Sequence, residues 1–251
     1  MKPKSLADIE SMRVSGRMLA TILQLMKHKA VEGVTPKELS AIAAVELKKL
    51  GGIPSFLGYG SNPPFPDVIC ISVNDQVQHC IPNGTPLVNG DVVNFDFGVT
   101  YQGMITDAGI TVCIGGEPDS NTRRLLSGTE QALYAAIDMI KPGVKVGDVS
   151  ATIEKVLKKH KLGIVRELVG HGVGYKLHEE PEIPNYGKAG TGPVLKPGLT
   201  IAVEPITTLG KPDIYEENDG WTLRTWDGSL SAQFEHTLLI TETGCEILTT
   251  L

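Results

Sequence analysis

Two aspartates stand in a segment that otherwise has the composition of a buried β-hairpin. The segment covers residues 90–114 and reads GDVVNFDFGVTYQGMITDAGITVCI, with Asp96 and Asp107 among apolar and β-branched residues. If Gln102-Gly103 forms a two-residue turn, Asp107 lies opposite Gly98 and both carboxylates occupy one face of the hairpin. Two unpaired buried anions would cost several kcal/mol each, so a cation site is one explanation. A solvated edge hairpin is the other explanation, and this segment alone does not decide between them.

Three further candidate ligands occur in the second half of the chain, each within apolar, strand-like sequence. They are His171 in VGHGVG, Glu204 in LTIAVEP and Glu235 in SLSAQFEHTLLI. One such residue is more often a hydrogen-bonded core residue than a ligand. Four acids and one histidine in buried strands are better explained by shared cations, and two divalent ions would neutralise the four carboxylates. The sequence therefore predicts a two-metal centre at Asp96, Asp107, His171, Glu204 and Glu235.

Helices are predicted on both sides of the hairpin. Ser5-Leu6-Ala7-Asp8 has the pattern of a capping box, and the apolar residues that follow it recur at helical spacing. A second helix is predicted between Thr35-Pro36 and Gly51-Gly52. Two more are predicted from Asn121 to Ile140 and from Asp148 to His160.

Residues 54–66 differ from their surroundings because they contain four of the sixteen prolines and three aromatic residues. This composition predicts a long surface loop, which leads to a strand from Val68 to Val73. Loops of this length often border functional sites. In the second half, a strand from Ile164 to Val169 is predicted directly before His171.

The two halves of the chain share a weak internal repeat. An offset of 110 residues maps Gly33-Val34 onto Gly143-Val144, and an offset of 108 maps Asp96 onto Glu204. Each match is weak alone, but the matches keep the same order in both halves. They predict a duplicated helix-helix-strand unit with two copies facing each other across a pseudo-twofold axis.

Composition limits the possible classes of function. The 251 residues, 41% hydrophobic and 21% charged, predict one globular domain over residues 1–251, with internal halves of about 1–115 and 116–251. A net charge of -6 argues against a general nucleic-acid binder. The polar amino terminus and the lack of an apolar run of membrane-spanning length predict a cytoplasmic protein. Four cysteines without CxxC spacing predict reduced thiols and no disulfide framework.

Several segments together resemble one known family over essentially the whole chain. They are SVNDQVQHCIP, the aspartate pair of the hairpin, VGHGVGYKLHEEP, TIAVEP, DGWTLRTWDGSLSAQFEHT and GCEILT. The sequence resembles the type I methionine aminopeptidases. This resemblance implies an α/β fold of the α+β kind, the pita-bread fold, in which a curved antiparallel sheet is backed by helices. It also implies that the five candidate ligands bind two divalent ions, and an oxygen-rich donor set with one imidazole suits cobalt, manganese or iron.

The resemblance also implies an activity and roles for individual residues. The implied reaction removes the initiator methionine from nascent proteins and peptides, preferentially when the second residue is small. Glu204 would take the proton of the attacking water, His178 would hydrogen-bond the scissile carbonyl, and His79 would contact the scissile nitrogen. Structural roles for the two histidines remain the alternative.

The methionine pocket implied by the resemblance departs from the family pattern. Phe65, Cys70 and Trp221 match its apolar lining, whereas Asn62 and Leu177 replace expected aromatic residues. Tyr59, from the proline-rich loop, is the candidate to replace the lost aromatic surface. Cys80 stands where the family usually has glycine, and it would be strained if that position requires a positive φ.

Three other interpretations stay open at this point. They are an Xaa-Pro-type peptidase of the same fold, a non-catalytic binding member of the fold, and a structural α/β protein. For the enzyme, the expected partners are nascent polypeptide N-termini and, transiently, the ribosome. A monomer is expected, without membrane binding and without sequence-specific binding of nucleic acid.

Overall fold

The computed structural model describes residues 2–60 and 62–251, so Ser61 of the predicted loop 54–66 lies outside the described residues. Within these ranges the helices are α1 (Leu6–Lys29), α2 (Pro36–Leu50), α3 (Ser120–Met139) and α4 (Val146–Lys159). The strands are β1 (Ile53–Pro54), β2 (Cys70–Val73), β3 (Gln76–Gln78), β4 (Val92–Tyr101), β5 (Met104–Cys113), β6 (Gly163–Ile164), β7 (Gly170–Gly172), β8 (Glu179–Ile183), β9 (Thr200–Val203), β10 (Ile206–Thr208), β11 (Ile214–Glu216), β12 (Leu223–Thr225), β13 (Ser231–Gln233), β14 (His236–Ile240) and β15 (Cys245–Ile247).

The helix starts follow the predicted capping chemistry. At α1 the Ser5 hydroxyl accepts from the Asp8 amide, and the Asp8 carboxylate accepts from the Ser5 amide. Thr35 forms the same reciprocal pair at α2, with proline in the first turn. Helices α3 and α4 lie within two residues of their predicted bounds, which confirms the four-helix prediction.

The β4–β5 hairpin has the predicted register. Tyr101 pairs with Met104 across the turn, and Gly98 pairs with Asp107. Asp96 pairs with Gly109 on one side and with Cys70 of β2 on the other. The alternation of side chains therefore places both aspartates on one face, as the two-residue turn predicts.

The predicted strand from Ile164 to Val169 is wrong, because ladder pairing stops after Ile164. Strand β6 pairs with β10, whereas β7, which carries His171, pairs with β9. Between β9 and β10 the chain passes through Pro205, which has no amide hydrogen to donate to a ladder. At the level of Pro205, the segment between β6 and β7 leaves the sheet that contains β10 and enters the sheet that contains β9. The predicted strand from Val68 is likewise shorter, since its pairing starts at Cys70.

The two halves of the molecule are joined edge to edge. In the second half, five strands follow the order β15-β14-β9-β7-β8. The Asp107 amide donates to Thr237 Oγ1 (2.8 Å), and that hydroxyl donates to the Asp107 carbonyl (2.7 Å). Nearby, the Glu235 amide donates to the Gly109 carbonyl (2.9 Å). The junction between the halves therefore passes directly beside two of the candidate ligands.

Matching hydrogen bonds support the duplicated unit. The Leu87 amide donates to the Val34 carbonyl (2.9 Å), and the Leu195 amide donates to the Val144 carbonyl (2.8 Å). These pairs are related by the offsets of the sequence repeat. The architecture of antiparallel sheets backed by two helix pairs is the pita-bread fold, whereas the division of the domain near residue 115 stays a prediction.

Each helix pair covers its own hydrophobic core. Helices α1 and α2 pack with β2, β4 and β5 around residues such as Leu19, Leu39 and Phe95. Helices α3 and α4 pack over the second half around residues such as Leu133, Ile153 and Ile201. Burial of these side chains stabilises the position of both sheets, and therefore the position of the junction between them. No helix within the described ranges has the length and apolar character needed to cross a membrane.

Candidate active site

A cavity of about 220 Å³ opens where the two halves meet. All five predicted ligands line it, and each of them is buried: Asp96, Asp107, His171, Glu204 and Glu235. The first half contributes the two aspartates from β4 and β5. The second half contributes the histidine from β7 and the two glutamates that follow β9 and β13. Neither half contains the complete set, so the site exists only in the joined fold.

The donor atoms converge closely. Asp107, His171 and Glu235 each offer an atom within 4.8 Å of the other two. His171 Nε2 lies 3.5 Å from Glu204 Oε1 and 3.9 Å from Asp107 Oδ2. On its other side, His171 Nδ1 lies 2.9 Å from the Gly172 carbonyl, which can only accept, so Nδ1 carries the proton. The Nε2 lone pair therefore points toward the carboxylates, as in a metal ligand whose tautomer is fixed by the backbone.

The pKa values of these residues are strongly perturbed. Burial raises the pKa of Asp96 to about 7. Burial, and then the charge of neighbouring carboxylates, raises the pKa of Asp107, Glu204 and Glu235 well above the usual range. Burial also lowers the pKa of His171 to about 3, so its imidazole is neutral near pH 7. The site stabilises neither free anions nor an imidazolium.

The residues fit a divalent metal centre. Asp96 Oδ1, Asp107 Oδ1 and Glu235 Oε1 are buried and have no hydrogen-bond partner among the described residues. Buried polar atoms are normally paired, so three unpaired carboxylate oxygens facing one cavity are the donors that a cation would satisfy. The neutral imidazole completes an oxygen-rich set that suits first-row divalent ions. These observations support dependence on divalent metal.

Without metal, the unfolding free energy of the protein is expected to fall as pH rises. The folded pKa of Asp96 lies above its unfolded value, so its contribution to stability is present below the ordinary value of 3.8 and is lost as pH rises through about 7. This residue alone should lower the unfolding free energy by roughly 3 kcal/mol between pH 5 and pH 8. Urea unfolding of chelator-treated protein at several pH values measures the slope.

The control for this pH dependence is Asp96→Asn, which cannot ionise and should make the slope less steep, while Asp107, Glu204 and Glu235 still contribute to it. Excess Mn²⁺ should also flatten it, because a bound cation favours the ionised carboxylates. Equal slopes in the metal-free wild type and in Asp96→Asn would contradict the assignment.

Sequence reasoning missed the residues that support the ligands. Gln233 is fully buried, and its Nε2 donates to Glu235 Oε2 (3.0 Å). Asn185 Nδ2 donates to the Glu204 carbonyl (2.9 Å). Gln233, Glu235 and Thr237 are spaced by two residues, and this strand-like alternation was the signal that could have identified them. The segment around Asn185 carries no comparable pattern.

Most of the predicted substrate residues surround the same cavity. Its lining includes Tyr59, Phe65, Cys70, His79, Leu177, His178 and Trp221. Phe56 also lines the cavity and was not predicted from the sequence. The Phe65 ring packs edge-on against Phe56 and Trp221, with ring centroids 6.5 and 5.3 Å apart.

Asn62 is the predicted substrate residue that does not line the cavity. The Gly58 amide donates to the Phe65 carbonyl (2.9 Å), and the Phe65 amide donates to the Tyr59 carbonyl (2.8 Å). These bonds close the loop at its base and present Tyr59 and Phe65 to the cavity. Asn62, at the tip of the closed loop, is exposed. Its side chain therefore does not contribute to the cavity wall, whereas that of Tyr59 does.

Two further histidines line the cavity. The His178 ring lies at the mouth of the cavity, with its centroid 4.3 Å from that of His171. The His79 ring lies against Trp221, with centroids 6.3 Å apart. Burial lowers the pKa of both, in His79 to about 4, so each is neutral near pH 7 and offers one donor and one acceptor nitrogen.

The positive φ that was considered for Cys80 occurs instead at the preceding residue, His79. His79 has a φ of 57°, in the left-handed region, whereas Cys80 is not among the described residues with positive φ. Cys80 is fully buried and its thiol contacts the Gln78 carbonyl (3.2 Å). The turn after β3 is therefore made at the histidine, and cysteine fits the next position as a small core residue.

Comparison with known proteins agrees with this site. The family model for metallopeptidase family M24 matches residues 10–242. The methionine aminopeptidase of Aquifex aeolicus is 41% identical over 252 residues, covering 97% of this chain and 96% of that protein. Methionine aminopeptidase 1 of Bacillus subtilis is 40% identical over 246 residues, covering 98% of each. The crystal structure of methionine aminopeptidase from Thermotoga maritima, 41% identical, matches over 100% of both chains with a TM-score of 0.97. The chain therefore belongs to metallopeptidase family M24 and, within it, to the methionine aminopeptidases.

Proposed function

We propose that this enzyme removes the N-terminal methionine from nascent proteins and peptides, preferentially when the second residue is small. The observation that carries the proposal is the convergence of five buried donors, three with unpaired oxygens, on a cavity with aromatic walls. An Xaa-Pro-type activity is not favoured, because relatives named methionine aminopeptidase match nearly the full length of the chain. A non-catalytic role would not require the complete set of donors.

We infer two divalent ions, of cobalt, manganese or iron, held by Asp96, Asp107, His171, Glu204 and Glu235. Four carboxylates carry a charge of minus four, which two divalent ions would neutralise. When bound, such ions supply Lewis-acid polarisation of a carbonyl and lower the pKa of water.

The chain's own residues then supply proton transfer and orientation. Glu204 is buried in the cavity, with Oε1 3.5 Å from His171 Nε2, and takes the proton of the attacking water as the general base. His178 donates to the scissile carbonyl oxygen from the mouth of the cavity. His79 contacts the scissile nitrogen from the side of Trp221. Both histidines are neutral, so each can donate one hydrogen bond without adding charge.

The walls of the cavity suit an unbranched thioether. Phe56, Phe65, Tyr59 and Trp221 supply aromatic surface, and Cys70 and Leu177 complete an apolar lining. A sulfur–aromatic contact contributes about 0.3 to 1.5 kcal/mol. Methionine is therefore expected to be preferred over leucine even though Leu177 stands where the family pattern has an aromatic residue.

Leu177→Phe is expected to raise the preference for methionine over leucine about two- to tenfold in kcat/KM, the value of one added sulfur–aromatic contact. Leu177 is buried among Phe56, Phe65 and Cys70, so a larger ring there must contact the bound side chain. The measurement compares Met-Ala-Ser, Leu-Ala-Ser and norleucine-Ala-Ser. Leu57→Phe, the same change at an exposed position of the loop 54–66, is the matched control. An unchanged ratio of kcat/KM for the methionine and leucine peptides in Leu177→Phe would show that residue 177 does not contact the bound side chain.

The function itself is tested by reconstitution. Chelator-treated protein is loaded separately with Co²⁺, Mn²⁺ or Fe²⁺ and assayed for methionine release from Met-Ala-Ser and Met-Lys-Ser, with bound metal counted in each sample. Release that requires metal and is faster for Met-Ala-Ser is expected. Turnover of an Xaa-Pro peptide but not of Met-Ala-Ser would contradict the proposal.

The proposal places the reaction in the cytoplasm, where nascent chains carry initiator methionine. All four cysteines are free, which is consistent with a reducing compartment. Transient contact with the ribosome and a monomeric state remain predictions.

A further inference from the structure

The hydroxyl of Tyr59 contacts Nδ1 of His178, the histidine proposed to hydrogen-bond the scissile carbonyl. Tyr59 Oη lies 2.5 Å from His178 Nδ1, and the two rings meet edge-on with centroids 5.3 Å apart. The proposed function gives His178 a hydrogen bond to the substrate but gives Tyr59 only a place in the apolar wall. The contact crosses the molecule, since Tyr59 belongs to the first half and His178 to the second.

The direction of this hydrogen bond decides what His178 can do. A neutral imidazole carries one proton, and its two nitrogens cannot both donate. If Nδ1 kept the proton, Nε2 would present a lone pair to the carbonyl oxygen of the substrate, and two acceptors would face each other. If the phenol donates to Nδ1, the imidazole proton lies on Nε2 and can be donated to that oxygen.

The surroundings favour donation by the phenol. Among the described residues, Tyr59 Oη has no hydrogen-bond partner other than His178, so its proton has no competing protein acceptor. The position of the ring is fixed by its own backbone, because the Tyr59 amide donates to the Phe56 carbonyl (2.9 Å) and the Tyr59 carbonyl accepts from Phe65. These backbone hydrogen bonds therefore hold the Tyr59 ring in one position relative to His178.

We propose that Tyr59 is a positioning residue that sets the tautomer and the orientation of His178, in addition to forming part of the pocket wall. This inference rests on the proposed function, because it assigns a purpose to the donor nitrogen of His178. It predicts that the hydroxyl acts on turnover, whereas the ring acts on the choice of the first residue.

Tyr59→Phe separates the two roles, because it keeps the ring and removes the hydroxyl. We expect kcat for Met-Ala-Ser to fall about three- to tenfold, the value of one hydrogen bond, with KM changed less than about twofold. The Met-Ala-Ser to Leu-Ala-Ser ratio should stay at the wild-type value. Tyr134→Phe is the matched control, since it removes a hydroxyl that faces the His236 ring (3.4 Å) outside this cavity, and kcat should not change.

Nitrogen-15 NMR of histidine-labelled, zinc-loaded protein gives a readout that a merely structural role would not alter. In the wild type, His178 should be protonated at Nε2, and in Tyr59→Phe it should become a mixture of tautomers. Wild-type kcat together with an unchanged His178 tautomer in Tyr59→Phe would overturn the inference, as would a change confined to the Met-to-Leu ratio. Absence of methionine release from the wild type would instead contradict the proposed function.

Discussion

Replacing Glu204 by glutamine is expected to lower kcat by at least about a hundredfold, the effect of removing a general base, while the fold and the bound metal are retained. Glutamine preserves the shape of the side chain and one ligand oxygen, but it cannot accept a proton. The carboxyl lies directly after β9, buried, with Oε1 3.5 Å from His171 Nε2, so a change of shape would disturb its neighbours more than this substitution does. Turnover of Met-Ala-Ser and metal content should be measured on the same sample.

Glu182→Gln is the matched control for this variant. Glu182 is an exposed residue of β8, and the same chemical change there should leave turnover at the wild-type value. Near wild-type kcat in fully metallated Glu204→Gln would show that another group takes the proton. Loss of metal in that variant would show that the charge of Glu204 is needed for binding itself.

His171→Ala is expected to lose bound metal and to lower turnover by more than the roughly 10- to 100-fold that loss of an outer-shell partner costs. Its Nε2 faces the carboxylates and its Nδ1 is held by the Gly172 carbonyl, so alanine removes the one nitrogen donor among the five predicted ligands. His178→Ala should lower turnover while keeping the full metal content, although the two rings are only 4.3 Å apart.

Metal content measured on purified, reconstituted variants separates these outcomes. If His171→Ala retained all of its metal, or if His178→Ala lost it, the division of the two histidines between ligand and substrate contact would be wrong. The pair forms its own control, since both variants remove an imidazole from the same cavity.

The sequence predicted those parts of the site that local rules determine. The register of the hairpin follows from a two-residue turn and the alternation of side chains, so the shared face of Asp96 and Asp107 could be derived without the structure. The helix starts follow in the same way from capping residues within four positions of each other. His171, Glu204 and Glu235 were found because charged residues in apolar strands are rare, although their distances from each other could not be derived.

Other parts depend on contacts between distant segments. The position of Asn62 depends on how the loop 54–66 closes on itself, and the Pro63 carbonyl accepts from Trp221 Nε1 (3.0 Å), a partner 158 residues away. The end of β6 depends on Pro205, which directly precedes its partner strand β10. No pattern within either segment contains that information, and for this reason the predicted loop lining and the predicted strand were partly wrong.

Because His79 has a left-handed backbone conformation, the residue types that best support folding at this position are expected to differ from the one that supports activity. Holding an L-residue with a side chain in this region costs roughly 1–2 kcal/mol, glycine avoids most of this cost, and asparagine tolerates it better than most residues. In a library of all substitutions at position 79, the yield of folded protein should therefore be highest for glycine and asparagine and lowest for valine and isoleucine. Turnover should follow the imidazole instead. If His79 contacts the substrate as proposed, selection for stability at this position would favour variants that selection for activity removes.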